Sequence, residues 1–79
     1  MNNLIEDKIK KLMSIVFEIN LDEISDNFSQ INSKDWDSLR HLNLIVALEE
    51  EFDIIFTDNE ITSLNSYKEI IDIVKYRKN

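Results

Sequence analysis

Asp35-Trp36-Asp37-Ser38-Leu39 is the segment best suited to chemistry. If Asp37 caps a helix, Ser38 stands in the first turn. There the unpaired backbone N–H groups and the positive end of the helix dipole favour a bound or attached phosphate. A phosphodiester on the Ser38 hydroxyl would meet a favourable field; alone, Asp-Ser at a helix start reads equally as a simple cap. Other candidates are thinner. His41 is the one histidine, with no cysteine partner and no carboxylate spaced for a convincing triad. The run Glu49-Glu50-Glu51-Phe52-Asp53 is acidic enough to attract a divalent ion, but an EF-hand loop needs ligands at fixed alternation and a central Gly. Its other reading is a solvated helix face. No constellation supports an enzyme.

The elements that must hold Ser38 follow from a short, unusual composition. The chain has 79 residues, a net charge of −7, and no Gly, Pro or Cys. This length allows one domain, residues 1–79, and a domain this small buries only about 60% of its unfolded surface. Without cysteine there is no disulfide, thiolate metal site or thiol nucleophile. Without glycine there is no glycine-rich phosphate loop, and the favoured hairpin turns are hard to build. Thirteen Ile and eight Leu suffice for a core. No apolar run approaches the roughly 18 residues of a membrane span, so the chain reads as soluble and cytoplasmic. The net acidity argues against nucleic acid as a partner and suits basic protein surfaces. The twelve acids against two bases between Glu18 and Glu60 read either as ordinary solvated carboxylates or as a steering surface for basic partners.

Hydrophobic spacing predicts four helices. Leu4, Ile5, Ile9, Leu12, Met13, Val16 and Phe17 recur at three- and four-residue steps over residues 3–18, with Lys8, Lys10 and Lys11 on the wet side. From Ile19 to Asp37 the periodicity fails and turn-prone residues, including Asn27, Asn32 and Ser33, dominate. Leu21, Ile24, Phe28 and Ile31 are the expected pins of this long connection. The second helix opens at Asp37 and runs to about Phe52. At about 100° per residue, Leu44, Ile45, Leu48 and Phe52 form one stripe, and Leu39, Leu42 and Val46 form a second on nearly the opposite side. A small bundle hides only one well. The second stripe is therefore either an interaction surface or covered by the long loop. Thr57-Asp58-Asn59-Glu60 and Ser66-Tyr67-Lys68-Glu69 match the capping box and open a short third helix and a fourth. Lys75, Arg77 and Lys78 suit the fourth helix's C-terminal dipole. The expected architecture is all-α, a small bundle of three main helices and a short third one, with a long pinned loop between the first two.

In this context the chain resembles the acyl carrier protein family. The likeness rests on Asp37-Ser38-Leu39, Leu42, Leu44 and Ala47-Leu48-Glu49-Glu50-Glu51-Phe52-Asp53, followed by the acidic opening Thr57-Asp58-Asn59-Glu60 where the family often has Pro-Asp-Glu-Glu. The resemblance implies carriage without catalysis. Ser38 would bear a covalent 4′-phosphopantetheine arm, installed from coenzyme A by a phosphopantetheinyl transferase, with Asp37 and Leu39 beside it. Acyl intermediates would be held as thioesters and shown to acyl-loading and acyl-transferring enzymes of a fatty-acid, polyketide or other specialised pathway, by a monomer. It also makes the second helix the docking element, through Leu39, Arg40, Leu42, Val46, Glu49 and Glu50. Three of these are the stripe that periodicity left without a core role.

The chain departs from the housekeeping pattern at Arg40, His41 and Asn43, where carriers of fatty-acid synthesis usually bear acids, and at Lys34-Asp35-Trp36, which replaces a frequent glycine. These departures suggest a specialised carrier, with the Arg40 charge inside the docking face setting its partners. His41 either fills the space between the second and third helices or meets the arm's cargo; Trp36 either covers the end of the bundle or joins the docking surface. The competing reading is an unmodified helical adaptor with a carrier-like fold; an acidic metal-buffering protein is a third.

Overall fold

Ile9, Met13 and Phe17 follow one another at four-residue intervals and are fully buried, which seats the first helix, α1 (Asn3–Phe17), on the rest of the chain. The computed structural model describes residues 3–31 and 33–78; Asn32, one of the turn-prone loop residues, lies outside them. A 3₁₀ turn at Leu21–Glu23 follows, then α2 (Ser38–Phe52), α3 (Asp58–Ser63) and α4 (Tyr67–Lys78). The described residues form no strand, only an isolated bridge between Ser29 and Ser66. The all-helical architecture and the helix boundaries match the sequence reading to within a residue or two.

One core collects residues from three helices: Phe17 from α1, Leu44, Ile45, Leu48 and Phe52 from α2, Ile70 and Val74 from α4, with Ile24, Trp36, Phe56 and Leu64 from the connections and the half-buried Ile61 of α3 packed against it. Burying each such side chain contributes about 1.5–3 kcal/mol. Tyr67 joins this core, and burial, reinforced by Glu6, Asp26 and Asp7, pushes its phenol above the ordinary tyrosine range.

Some apolar residues go elsewhere than expected. Leu4 is exposed because it lies roughly 140° round the wheel from Ile9, on the outer face with Ile15. Of the four expected loop pins, Ile24 is buried and Phe28 packs against the core. Leu21 is about half exposed, and Ile31 is 93% exposed. Outside a periodic element, apolar character alone does not dictate which side chains turn inward. Lys8 and Lys11 are exposed, but Lys10 is half-buried, with its ammonium 5.8 Å from the centre of the Tyr67 ring.

The absence of glycine shows at two helix ends. Glu18 after α1 and Asp53 after α2 adopt positive φ (57° and 55°), the left-handed turn that glycine makes most readily. In each case the next amide reaches back across the turn, Ile19 N–H to the Ser14 carbonyl and Ile54 N–H to the Glu49 carbonyl, both at 3.2 Å. Helix starts are conventional. In α3 the Thr57 hydroxyl and Glu60 carboxylate cap each other's backbone N–H. Before α4, Ser66 Oγ accepts from Glu69 N–H, while the Glu69 carboxylate accepts from Asn65 N–H instead of closing the box on Ser66.

The basic last turn of α4 serves its neighbours more than its own dipole. Lys75 pairs with Glu6 of α1 at 2.9 Å, and Arg77 pairs with Glu60 of α3 at 2.6 Å while donating to the Ile55 carbonyl. Lys78 donates to the Phe52 carbonyl at the end of α2. One turn of helix thereby ties down the other three.

Candidate functional site

The N-terminus of α2 is built from both sides. Asp37 sits in extended conformation and its Oδ1 accepts from Arg40 N–H at 2.8 Å, the expected N-cap. Ser38 is exposed, and its hydroxyl makes no hydrogen bond with the described residues. The Ser38 and Leu39 amides likewise take no acceptor among those residues. An exposed hydroxyl therefore stands beside two N–H donors that take no acceptor among the described residues, at the positive end of a 15-residue helix, a setting that favours a phosphate ester.

Trp36, two residues upstream, is 2% exposed and is part of the core, not of a docking surface. It packs against Phe17 and Phe28, with ring centroids 5.1 and 5.6 Å away. Its Nε1–H donates to His41 Nδ1 at 3.0 Å, and His41 Nε2 lies 2.8 Å from the Ile61 carbonyl. An indole N–H only donates and a carbonyl only accepts, so both contacts are satisfied together by the tautomer in which Nδ1 accepts and Nε2 donates. Of its two expected positions, His41 takes the one between α2 and α3.

Arg40 is bonded across the molecule. Its guanidinium turns away from the exposed stripe towards the end of α1, where Nη1 donates to the Phe17 carbonyl at 2.8 Å. Glu18 and Asp35 answer its charge at 3.8 and 4.0 Å. Arg40 thus closes the C-terminus of α1 and ties the loop before Ser38 to it. Nothing local signals this, because Phe17 lies 23 residues upstream.

The two stripes of α2 separate as their angles require. Leu44, Ile45, Leu48 and Phe52 are buried, while Leu39, Leu42 and Val46 are 69%, 55% and 53% exposed and the long loop does not cover them. The acidic run divides its tasks. The Glu49 carboxylate accepts from Phe56 N–H at 2.9 Å and orders the turn into α3, and Glu51 pairs with Lys8. Glu50 is exposed and makes no hydrogen bond or ion pair with the described residues. Among those residues, no group of three or more metal-ligating side chains is disposed to hold an ion.

A bundle presenting a free serine at a capped helix start, flanked by an uncovered apolar stripe, has the form of a carrier domain. No family model matches the chain. It is, however, 40% identical over 74 residues to an acyl carrier protein of Buchnera aphidicola from Schizaphis graminum, covering 94% of this chain and 92% of that one. It is 34% identical over 74 residues to the acyl carrier protein of Picosynechococcus, covering 94% and 91% respectively. The solved holo acyl carrier protein of Geobacter metallireducens superposes with a TM-score of 0.78 at 30% identity, covering 89% of this chain and 80% of that one. The chain belongs to the acyl carrier protein family. Proteins of this family carry; they are not enzymes.

Proposed function

We propose that Ser38 bears 4′-phosphopantetheine and that residues 1–79 form one carrier domain, with a core of about 4–76. The observation that carries this reading is the exposed, unbonded Ser38 hydroxyl beside the free Ser38 and Leu39 amides, with Asp37 holding the helix start. Those two N–H groups and the helix dipole fit the phosphodiester. When attached, the group supplies a terminal thiol on which an acyl chain is held as a thioester, a function the cysteine-free polypeptide lacks. Tethering makes delivery of that chain a local event at high effective concentration.

The same reading assigns partner docking to Leu39, Leu42 and Val46, with Glu50 as the free charge at their edge. Partners are a phosphopantetheinyl transferase, then acyl-loading and acyl-transferring enzymes of a fatty-acid, polyketide or other specialised pathway. The carrier acts as a cytoplasmic monomer, and no helix among the described residues is long and apolar enough to cross a membrane. Arg40 is occupied at the end of α1, so specialisation rests on the missing acids at positions 40, 41 and 43 and not on a free cation.

Intact-mass measurement after incubation with coenzyme A, Mg²⁺ and a broad-specificity transferase tests the assignment. The expected result is one phosphopantetheine added to the wild type and none to Ser38→Ala. No gain in the wild type, or a gain that survives the substitution, leaves the unmodified adaptor as the better reading.

A further inference from the structure

We infer that the Trp36–His41 hydrogen bond is a proton-sensitive latch on the segment leading into Ser38. The buried indole has His41 Nδ1 as its acceptor, and the other ring nitrogen is committed to the Ile61 carbonyl of α3. Trp36 is separated from Ser38 only by Asp37, the residue that caps α2. The latch therefore connects the core, the helix cap and α3 through one titratable ring.

Protonation acts on one side of this relay only. Nε2 already carries a proton, so the added one goes to Nδ1. The imidazolium then donates from both nitrogens. Its bond to the Ile61 carbonyl survives, strengthened by charge, while the Trp36 N–H faces a second donor and loses its acceptor. Acid thus leaves α2 joined to α3 and releases Trp36 from His41.

Several charged groups on the surrounding elements are already engaged, while Asp58 of α3 and Lys34 of the loop form no ion pair with the described residues. On α2, Arg40 is held by the Phe17 carbonyl, Glu18 at the end of α1 and Asp35 of the loop, and Asp37 accepts from Arg40 N–H. On α3, Glu60 pairs with Arg77 of α4 and accepts from Thr57 N–H. No carboxylate among the described residues forms an ion pair with the imidazole. The consequence of protonation is therefore loss of the Trp36 bond and not formation of a new salt bridge.

The chain has one Trp and one His, so both partners can be read without interference, on the unmodified protein and independently of whether Ser38 is loaded. Nitrogen-15 NMR of the wild type from about pH 7.5 to about pH 5 follows the ring and the indole together. Expected are the Nε2–H tautomer at the upper end and an indole Nε1–H shift that moves in step with Nδ1 protonation. Exchange of that indole proton, relative to free indole, should rise about five- to tenfold, as loss of one hydrogen bond requires. His41→Gln retains an acceptor for Trp36 and a donor for Ile61 but does not titrate, so its indole signal and exchange should stay constant. The latch is refuted if the wild-type indole is indifferent to ring protonation, if the neutral ring carries its proton on Nδ1, or if His41→Gln reproduces the acid response.

Discussion

The two apolar stripes of α2 are made of the same residue types and meet opposite fates. Leu44, Ile45, Leu48 and Phe52 face α1 and the rest of the core, whereas Leu39, Leu42 and Val46 face water. The inner stripe supplies much of the core on which a chain of 79 residues without cysteine, and so without disulfides, depends. The outer stripe gains less from folding, and its exposure retains apolar area that a partner can cover. With docking assigned to the outer stripe as proposed above, stability and recognition would lie on one helix roughly half a turn of the wheel apart, and substitutions on each side would report different properties.

The contrast is tested first where the effect is largest. Leu48→Ala opens a cavity at a fully buried position and should lower unfolding free energy by about 3 kcal/mol in urea titration. A loss below about 1 kcal/mol would mean that the inner stripe is not the framework described. Leu42→Ala should leave that curve within about 0.5 kcal/mol of wild type yet weaken transferase or acyl-transferring partner binding about tenfold, read by calorimetry. Equal effects on stability and binding would erase the distinction between the faces. Arg40→Met keeps the aliphatic stem but removes the bond to the Phe17 carbonyl, and should cost about 1 kcal/mol of stability with partner affinity little changed. If affinity changes more than stability, the cation belongs to the docking face after all. Asp53→Gly relieves a positive φ and removes an acid from the negative end of α2, and should add about 0.5 kcal/mol.

One further test concerns pH. Tyr67 has its phenol raised by burial and nearby acids, so the unfolded chain ionises first as pH climbs. The stability that Tyr67 contributes as the neutral phenol is fully present below about pH 10 and is lost above it. Tyr67→Phe should flatten that alkaline decline, measured by thermal melts across the range, while changing little at neutral pH.

Much of this was legible in residue order because it depends on neighbours three or four positions apart. The Asp37 cap, the Thr57–Glu60 box and the angular split of α2 are local geometry; the three- and four-residue recurrence nonetheless placed Leu4 with the buried face, which its wheel angle to Ile9 does not support. The loop and the long side chains were not legible. Leu21 and Ile31 are as apolar as Ile24 and Phe28, yet only the latter pair reaches the core. Arg40 sits next to Leu39 in sequence and still turns to a carbonyl on α1. His41 finds Ile61, and Lys78 finds Phe52, across 20 and 26 residues.

Sequence alone determined that this protein is helical, where its helices start and stop, that α2 has an apolar face to spare, and that Ser38 stands in the first turn. Those features arise from backbone hydrogen bonding and 3.6-residue periodicity, which act over one or two turns. Only the tertiary structure decided that the Arg40 charge is occupied at the end of α1, that Trp36 lies inside, and that the His41 ring sits between an indole and a carbonyl. Those outcomes depend on which donors and acceptors the packed helices bring within about 3 Å, a matter of chain crossings that no local pattern encodes.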